Sequence, residues 1–218
     1  MNIFSIDFIL FTLGGYNVSL LELLSVLLGF TNVFLAGRGN KNNYWFGYIY
    51  SLLLFFLFWQ KHLYASMILQ PISLGITIYG HWSWTHPKSG TENNKKELMV
   101  SRILPSNIMW GALAIAVGTL VWGWCNQRLN VVWPDTFPPA TKPFLDAAVV
   151  CTMFFAQLLS ARKKLECWYV WMIVNTTNII LYVLAGMAFL PLVSFSYLIL
   201  AVLGFINWKK EWRKDNNE

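Results

Sequence analysis

The chain has 218 residues, of which 56% are hydrophobic and 12% charged, a balance that excludes a water-soluble domain of this size and marks a polytopic membrane protein. A formal charge of +6 raises the possibility of a nucleic-acid partner, but the cations sit in the loops between apolar runs, where membrane topology accounts for them, so no nucleic-acid partner is expected. The runs are about as long as the ~20 residues of a spanning helix and lack the alternation of a transmembrane barrel.

Residues 1–17 come first. Their apolar part, 1–13, is too short to span and reads as an interfacial segment; it holds Asp7, and the first cation is Arg38, so the charged start of a cleaved signal peptide is missing. Seven spanning runs follow, at 18–36, 44–60, 63–84, 107–127, 143–160, 167–186 and 189–208, the second being short. Between the third and fourth, 85–105 reads as a polar loop, with Pro87, Gly90, Asn93, Asn94 and the Lys95–Lys96 pair. Between the fourth and fifth, 130–143 reads as a second loop, its Pro134, Pro138 and Pro139 blocking regular structure. Residues 209–218 form a basic tail.

The cations alternate by loop. Arg38 and Lys41 follow the first span, Lys88, Lys95, Lys96 and Arg102 the third, Arg162, Lys163 and Lys164 the fifth, and Lys209, Lys210, Arg213 and Lys214 the seventh, thirteen of sixteen in all. Lys61, Arg128 and Lys142 fall on the other side. The positive-inside rule therefore predicts an external N-terminus and a cytoplasmic C-terminus.

A shift of 124 positions aligns Glu22 with Asp146, Phe30 with Phe154, Tyr44 with Trp168 and Gly47 with Trp171; after the second helix a shift of 126 pairs Leu74 with Leu200 and Trp82 with Trp208. Two related three-helix units, 18–84 and 143–208, are thus expected. The segment 85–142 supplies a cytoplasmic loop, a linker helix and an external loop between them. An odd linker gives both units the same orientation, hence a parallel 3+1+3 repeat with substrate near the midplane.

Candidate site residues fall on three spans. In the sixth, Trp168, Trp171, Asn175 and Asn178 stand at i, i+3, i+7 and i+10, an arc of roughly 80° on one helix face. Two indoles beside two carboxamides suit a flat heteroaromatic molecule, whereas an interfacial aromatic belt with interhelical hydrogen bonds is the alternative. Trp171, a turn deeper than the border, favours the ligand wall. In the third span Gln70, Ser73 and Thr77 repeat the spacing, and Pro71 frees a carbonyl beside Gln70, a candidate hinge. Gln70 is the stronger candidate, because small hydroxyls satisfy themselves on their own helix. In the seventh, Tyr197 is a candidate contact, as is Asn207, which also fits a plain helix end. Glu22 and Asp146 sit early in the first helix of each unit, where interaction with the helix dipole fits better than ion coupling. No reacting set stands out among His62, His81 and His86 or elsewhere, so no enzyme activity, cofactor or metal is expected. Cys125, Cys151 and Cys167 read as small apolar residues.

The strings Asn43-Tyr44-Trp45-Phe46-Gly47, Leu63-Tyr64-Ala65-Ser66 with Leu69-Gln70, Tyr79-Gly80 with Trp82 and Trp84, Glu166-Cys167-Trp168-Tyr169-Val170-Trp171 to Asn175, and Asn207 resemble the PnuC family of bacterial vitamin transporters. The resemblance runs from Glu22 to Trp212. It implies an all-α transmembrane SWEET-like fold in the bacterial inner membrane and a carrier that moves nicotinamide riboside by facilitated diffusion. A cytoplasmic nicotinamide riboside kinase would trap the substrate, and a homotrimer is a further implication. Residue by residue it implies Gln70, Trp168, Trp171, Asn175 and Asn207 as binding residues; Tyr50 departs from the Asn expected in closer relatives. Thiamine, riboflavin or a deoxynucleoside are alternative cargoes, and a vitamin-binding subunit of an ATP-driven importer is an alternative machine.

Overall fold

The computed structural model describes residues 5–61, 64–86, 98–137, 142–184 and 189–216. Its first element is a hairpin: β1 (Ile9–Leu13) pairs antiparallel with β2 (Tyr16–Ser19), closed by Gly14 and Gly15 at φ 55° and 79°. Two glycines with positive φ are what a two-residue turn of the right twist requires. Seven helices follow: α1 (Leu20–Gly37), α2 (Asn43–Gln60), α3 (Tyr64–Thr85), α4 (Pro105–Val132), α5 (Pro143–Ala161), α6 (Cys167–Leu184) and α7 (Phe189–Asn216). Four of them, α1, α4, α5 and α7, are long and apolar enough to cross a membrane.

Ser19 starts α1 with a capping box. Its hydroxyl accepts the Glu22 N–H at 3.3 Å, and the Glu22 carboxylate accepts the Ser19 N–H at 2.9 Å. The helices then pack as a ring: α1 on α2, α2 on α3, α3 on α5, α5 on α6, α6 on α7, and α7 back on α1, with α4 outside, chiefly on α5. Glycines seat that outer helix. Cβ atoms at Gly111, Gly118 and Gly123 would run into Phe155, Cys151 and Phe144 of α5.

Contacts recur at a spacing of 124 residues. Tyr44 meets Trp84 edge-on at 5.3 Å, and Trp168 meets Trp208 edge-on at 5.1 Å. Gly80 lies under Tyr44 and Ala161, while Gly204 lies under Trp168 and against Gly37. The indole of Trp84 donates to the Ser160 carbonyl at 3.2 Å, that of Trp208 to the Ala36 carbonyl at 3.0 Å. Even the positive φ of Gly39, 68°, recurs at Lys163, 50°. The shift of 126 expected for the third helix is therefore corrected to 124: Trp84, not Trp82, is the counterpart of Trp208. Trp82 is exposed and stacks on His86. Two tryptophans within one helical turn score alike in an alignment, and only their contacts separate them.

Other expectations also shift. The N-terminal segment is a hairpin that reaches Ser19, so the chain is not purely α and the predicted first span loses residues 18 and 19 to β2. The fourth helix extends to Val132, which takes residues 130–132 from the expected loop. The basic tail is helical to Asn216, because nothing in 209–216 breaks a helix and Glu211 and Trp212 are engaged: Lys163 Nζ donates to Glu211 at 2.7 Å, and Arg102 lies over the Trp212 ring at 5.7 Å. Of the loop 85–105, Thr85 ends α3 and Pro105 opens α4. Between them Ser101 bridges to Lys164, and the Glu166 carboxylate accepts Arg102 Nε at 3.1 Å and the Ile103 N–H at 2.9 Å. Pro87, Lys88, Gly90, Asn93, Asn94, Lys95 and Lys96 lie outside the described residues, as do His62, Leu63, Pro138, Pro139 and Gly186.

Candidate functional site

The face of α6 read from its spacing turns inward. Trp168 and Asn175 are buried and Trp171 and Asn178 half-buried, while Tyr169, Ile173, Thr176 and Ile180 are exposed. Trp168 is held by Trp208 and by the bare backbone of Gly204; a Cβ there would collide with the indole. Its Nε1 is buried and has no hydrogen-bond partner among the described residues. A buried donor left unpaired costs about 1–3 kcal/mol, so this N–H is poised for an acceptor. Asn175 donates Nδ2 to the Trp171 carbonyl at 2.8 Å, which leaves Oδ1 as the group it presents. Eight residues into α6, Asn175 lies about 12 Å from the helix start, near mid-depth.

Tyr197 stands eight residues into the antiparallel α7, about 12 Å from the opposite end. Its ring meets Phe30 edge-on at 4.6 Å, and its hydroxyl and the Tyr50 ring both lie over the open face of Gly29. Any side chain at Gly29 would strike that hydroxyl. Asn32, which lies against Gly47, escaped sequence reasoning as an inward-facing group, whereas Tyr50 stands out in the sequence only as a departure from the resembled family. The available signal was a polar atom within an otherwise apolar span.

On α3 the expected residues divide. Gln70 is half-buried, and its Nε2 donates weakly to the Ser66 carbonyl at 3.4 Å. The helix runs unbroken through Pro71, which faces outward. Ser73 and Thr77 are drawn into an interhelical clamp that the sequence did not reveal. Gln157 of α5 accepts from Ser73 Oγ at 3.1 Å and donates to the Ser73 carbonyl and to Thr77 Oγ1, both at 3.0 Å. Asn207 is exposed, next to the buried Trp208.

At the end away from the basic loops, Glu22 pairs with Lys61 and accepts Tyr16 Oη at 2.6 Å, and Lys61 also donates to Tyr16 at 2.9 Å. Burial and the bond to Glu22 raise the Tyr16 hydroxyl above its ordinary pKa. For Lys61 burial pulls down, but the bonds to Glu22 and Tyr16 outweigh it and raise the amine. Among the described residues no His, Cys, Asp and Glu cluster could hold a metal ion.

The family described as nicotinamide mononucleotide transporter matches residues 19–210. The nicotinamide riboside transporter PnuC of Escherichia coli K12 is 29% identical over 97% of this chain and 94% of its own length. The riboflavin/roseoflavin transporter RibM of Streptomyces davaonensis is 23% identical over 94% of this chain and 92% of its own. Among solved structures, a crystal structure of the vitamin B3 transporter PnuC superposes with a TM-score of 0.66, at 26% identity, covering 89% of this chain and 82% of that one.

Proposed function

The chain belongs to the nicotinamide mononucleotide transporter family, and on that premise we propose that it carries nicotinamide riboside across the bacterial inner membrane by facilitated diffusion. The observation that carries the reading is the inward α6 face, with its two indoles, the unpaired Trp168 Nε1 and the Asn175 carboxamide. Indole faces attract a cationic pyridinium, and an amide pairs with a carboxamide or a ribose hydroxyl. Gln70, Asn178 and Tyr197 complete the wall in this reading, with Asn207 as a contact on the exit path. Ser73 and Thr77 shape it through Gln157.

The ring of contacts and their recurrence at 124 residues support a SWEET-like parallel 3+1+3 repeat of units 18–84 and 143–208. One unit rocks against the other, exposing the midplane to either side in turn, and Pro71 is a candidate hinge. The basic loops lie in the cytoplasm and the hairpin outside. A cytoplasmic kinase that phosphorylates the cargo gives net uptake its direction.

Calorimetry of the detergent-purified protein with nicotinamide riboside, thiamine and riboflavin tests this. Tight binding of nicotinamide riboside alone is the expected result, with Trp171→Ala and Asn175→Ala each weakening it by more than tenfold, about 1.4 kcal/mol. Unchanged affinity in both variants overturns the site. Preference for riboflavin, the second reading in view of the Streptomyces relative, overturns the cargo and leaves the carrier.

A further inference from the structure

The ring closes at two seams between the three-helix units, α3 on α5 and α7 on α1. Each seam is tied at the basic end by one indole. Trp84 reaches the Ser160 carbonyl in the last turn of α5, and Trp208 the Ala36 carbonyl in the last turn of α1. Both carbonyls already accept the N–H of the following turn, from Lys163 and Gly39 at 2.9 Å, so each indole ties a helix end and the turn after it. Trp84 and Trp208 are buried, at 4% and 0% exposure.

The turns carry a third tie. Lys163, buried in the turn after α5, pairs with Glu211 of α7 and lies over the Trp84 ring at 5.4 Å. Gly39, in the turn after α1, backs onto both charged groups; a Cβ there would sit 3.4 Å from Glu211 Oε2 and 3.6 Å from Lys163 Nζ. Cys167, at the start of α6, is fully buried in the same cluster as Trp84, Trp168 and Trp208.

We infer that the Trp84–Ser160 and Trp208–Ala36 bonds form the closed inner gate of the carrier, with Lys163, held in place by Glu211 of its own unit, lying across the seam over the Trp84 ring as its clasp. This rests on the alternating-access reading above. When one unit rocks against the other, contacts inside a unit are kept and contacts across the seams part. The two indole bonds are such contacts, and they lie at the basic end, where Trp208 packs edge-on against Trp168, the first residue of the α6 wall. Substrate leaves inward only after both have opened.

Cys167 reports the opening. In a Cys125→Ala/Cys151→Ala background in oriented proteoliposomes, a membrane-impermeant maleimide added on the basic side labels it at the rate at which the gate opens. Trp84→Phe with Trp208→Phe keeps the rings and deletes both donors; labelling from that side is expected to rise about tenfold, with none from the other side. Lys163→Met is expected to act in the same direction, and Trp82→Phe, an exposed tryptophan of the same helix, to leave the rate unchanged. An unchanged rate in the double variant overturns the gate, as does labelling from both sides, the mark of a loosened fold. The assay needs no substrate, so failure of nicotinamide riboside to bind would sink the cargo and leave the gate result standing.

Discussion

Glu22 illustrates what one residue's type and position predict and what they omit. A carboxylate at the start of an apolar run is either a coupling acid or a cap. The capping box with Ser19 is written in the spacing of the two residues, but Lys61, thirty-nine positions on, is brought to Glu22 only by the pairing of α1 with α2. With its charge answered by Lys61 and its oxygens taken by Ser19 and Tyr16, Glu22 has a structural part. Glu22→Gln is therefore expected to lower stability by about 1.5–3 kcal/mol, the range for hydrogen bonds to charged groups, and to leave nicotinamide riboside affinity within about twofold. Thermal unfolding and calorimetry on the same preparation read both; a large loss of affinity at unchanged stability would return Glu22 to the transport cycle. Gln157 carries the opposite lesson. The sequence does not single it out, and its partners Ser73 and Thr77 lie on a helix about eighty residues earlier, so the expected hydroxyl contacts became a clamp.

For the helices, period and punctuation were enough. The inward arc of α6 and the ends of five spans to within a residue or two follow from apolar length and spacing, because a helix repeats every 3.6 residues whatever surrounds it. Helix-to-helix approach was not legible. Gly37 and Gly204 look like any glycines in an apolar run, but at the α1–α7 crossing a Cβ on Gly37 would stand 3.1 Å from Gly204 Cα, and one on Gly204 would enter the Trp168 ring. Small residues at a crossing let two backbones meet. Gly204→Val is thus expected to destabilise by about 1–3 kcal/mol, the cost of overpacking, and to weaken substrate binding by displacing Trp168. Gly75→Ala, with open space around its Cβ, should change neither. Equal melting and equal affinity for Gly204→Val and Gly75→Ala would contradict this packing account. The hairpin is where the sequence reading and the structure part most clearly: a Gly-Gly pair between short runs is a hairpin signal, and apolar length and charge, which suggest an interfacial segment, do not reveal it.

At the scale of the whole molecule, six helices pack in a ring and Glu22 is answered by Lys61, and the facilitated diffusion proposed above requires that no ion drive the cargo. Nicotinamide riboside entering proteoliposomes is expected to level off at equal concentrations inside and out, and an imposed proton or sodium gradient should leave that plateau unchanged. Accumulation above the outside concentration under either gradient would make the protein a coupled transporter and point to Asp146. The sequence by itself determined the seven helices, the side on which the cations gather, the inward face of α6 and the family, since these depend on local periodicity, on charge counted along the chain and on short strings. Tertiary structure alone decided that Trp84 rather than Trp82 answers Trp208, that Gln157 claims Ser73 and Thr77, and that the Trp168 N–H stays unpaired among the described residues. The physical reason is common to all three. Each depends on the meeting of groups far apart in the chain, and a hydrogen bond is made or missed within a few tenths of an ångström, a distance that residue type and spacing do not encode.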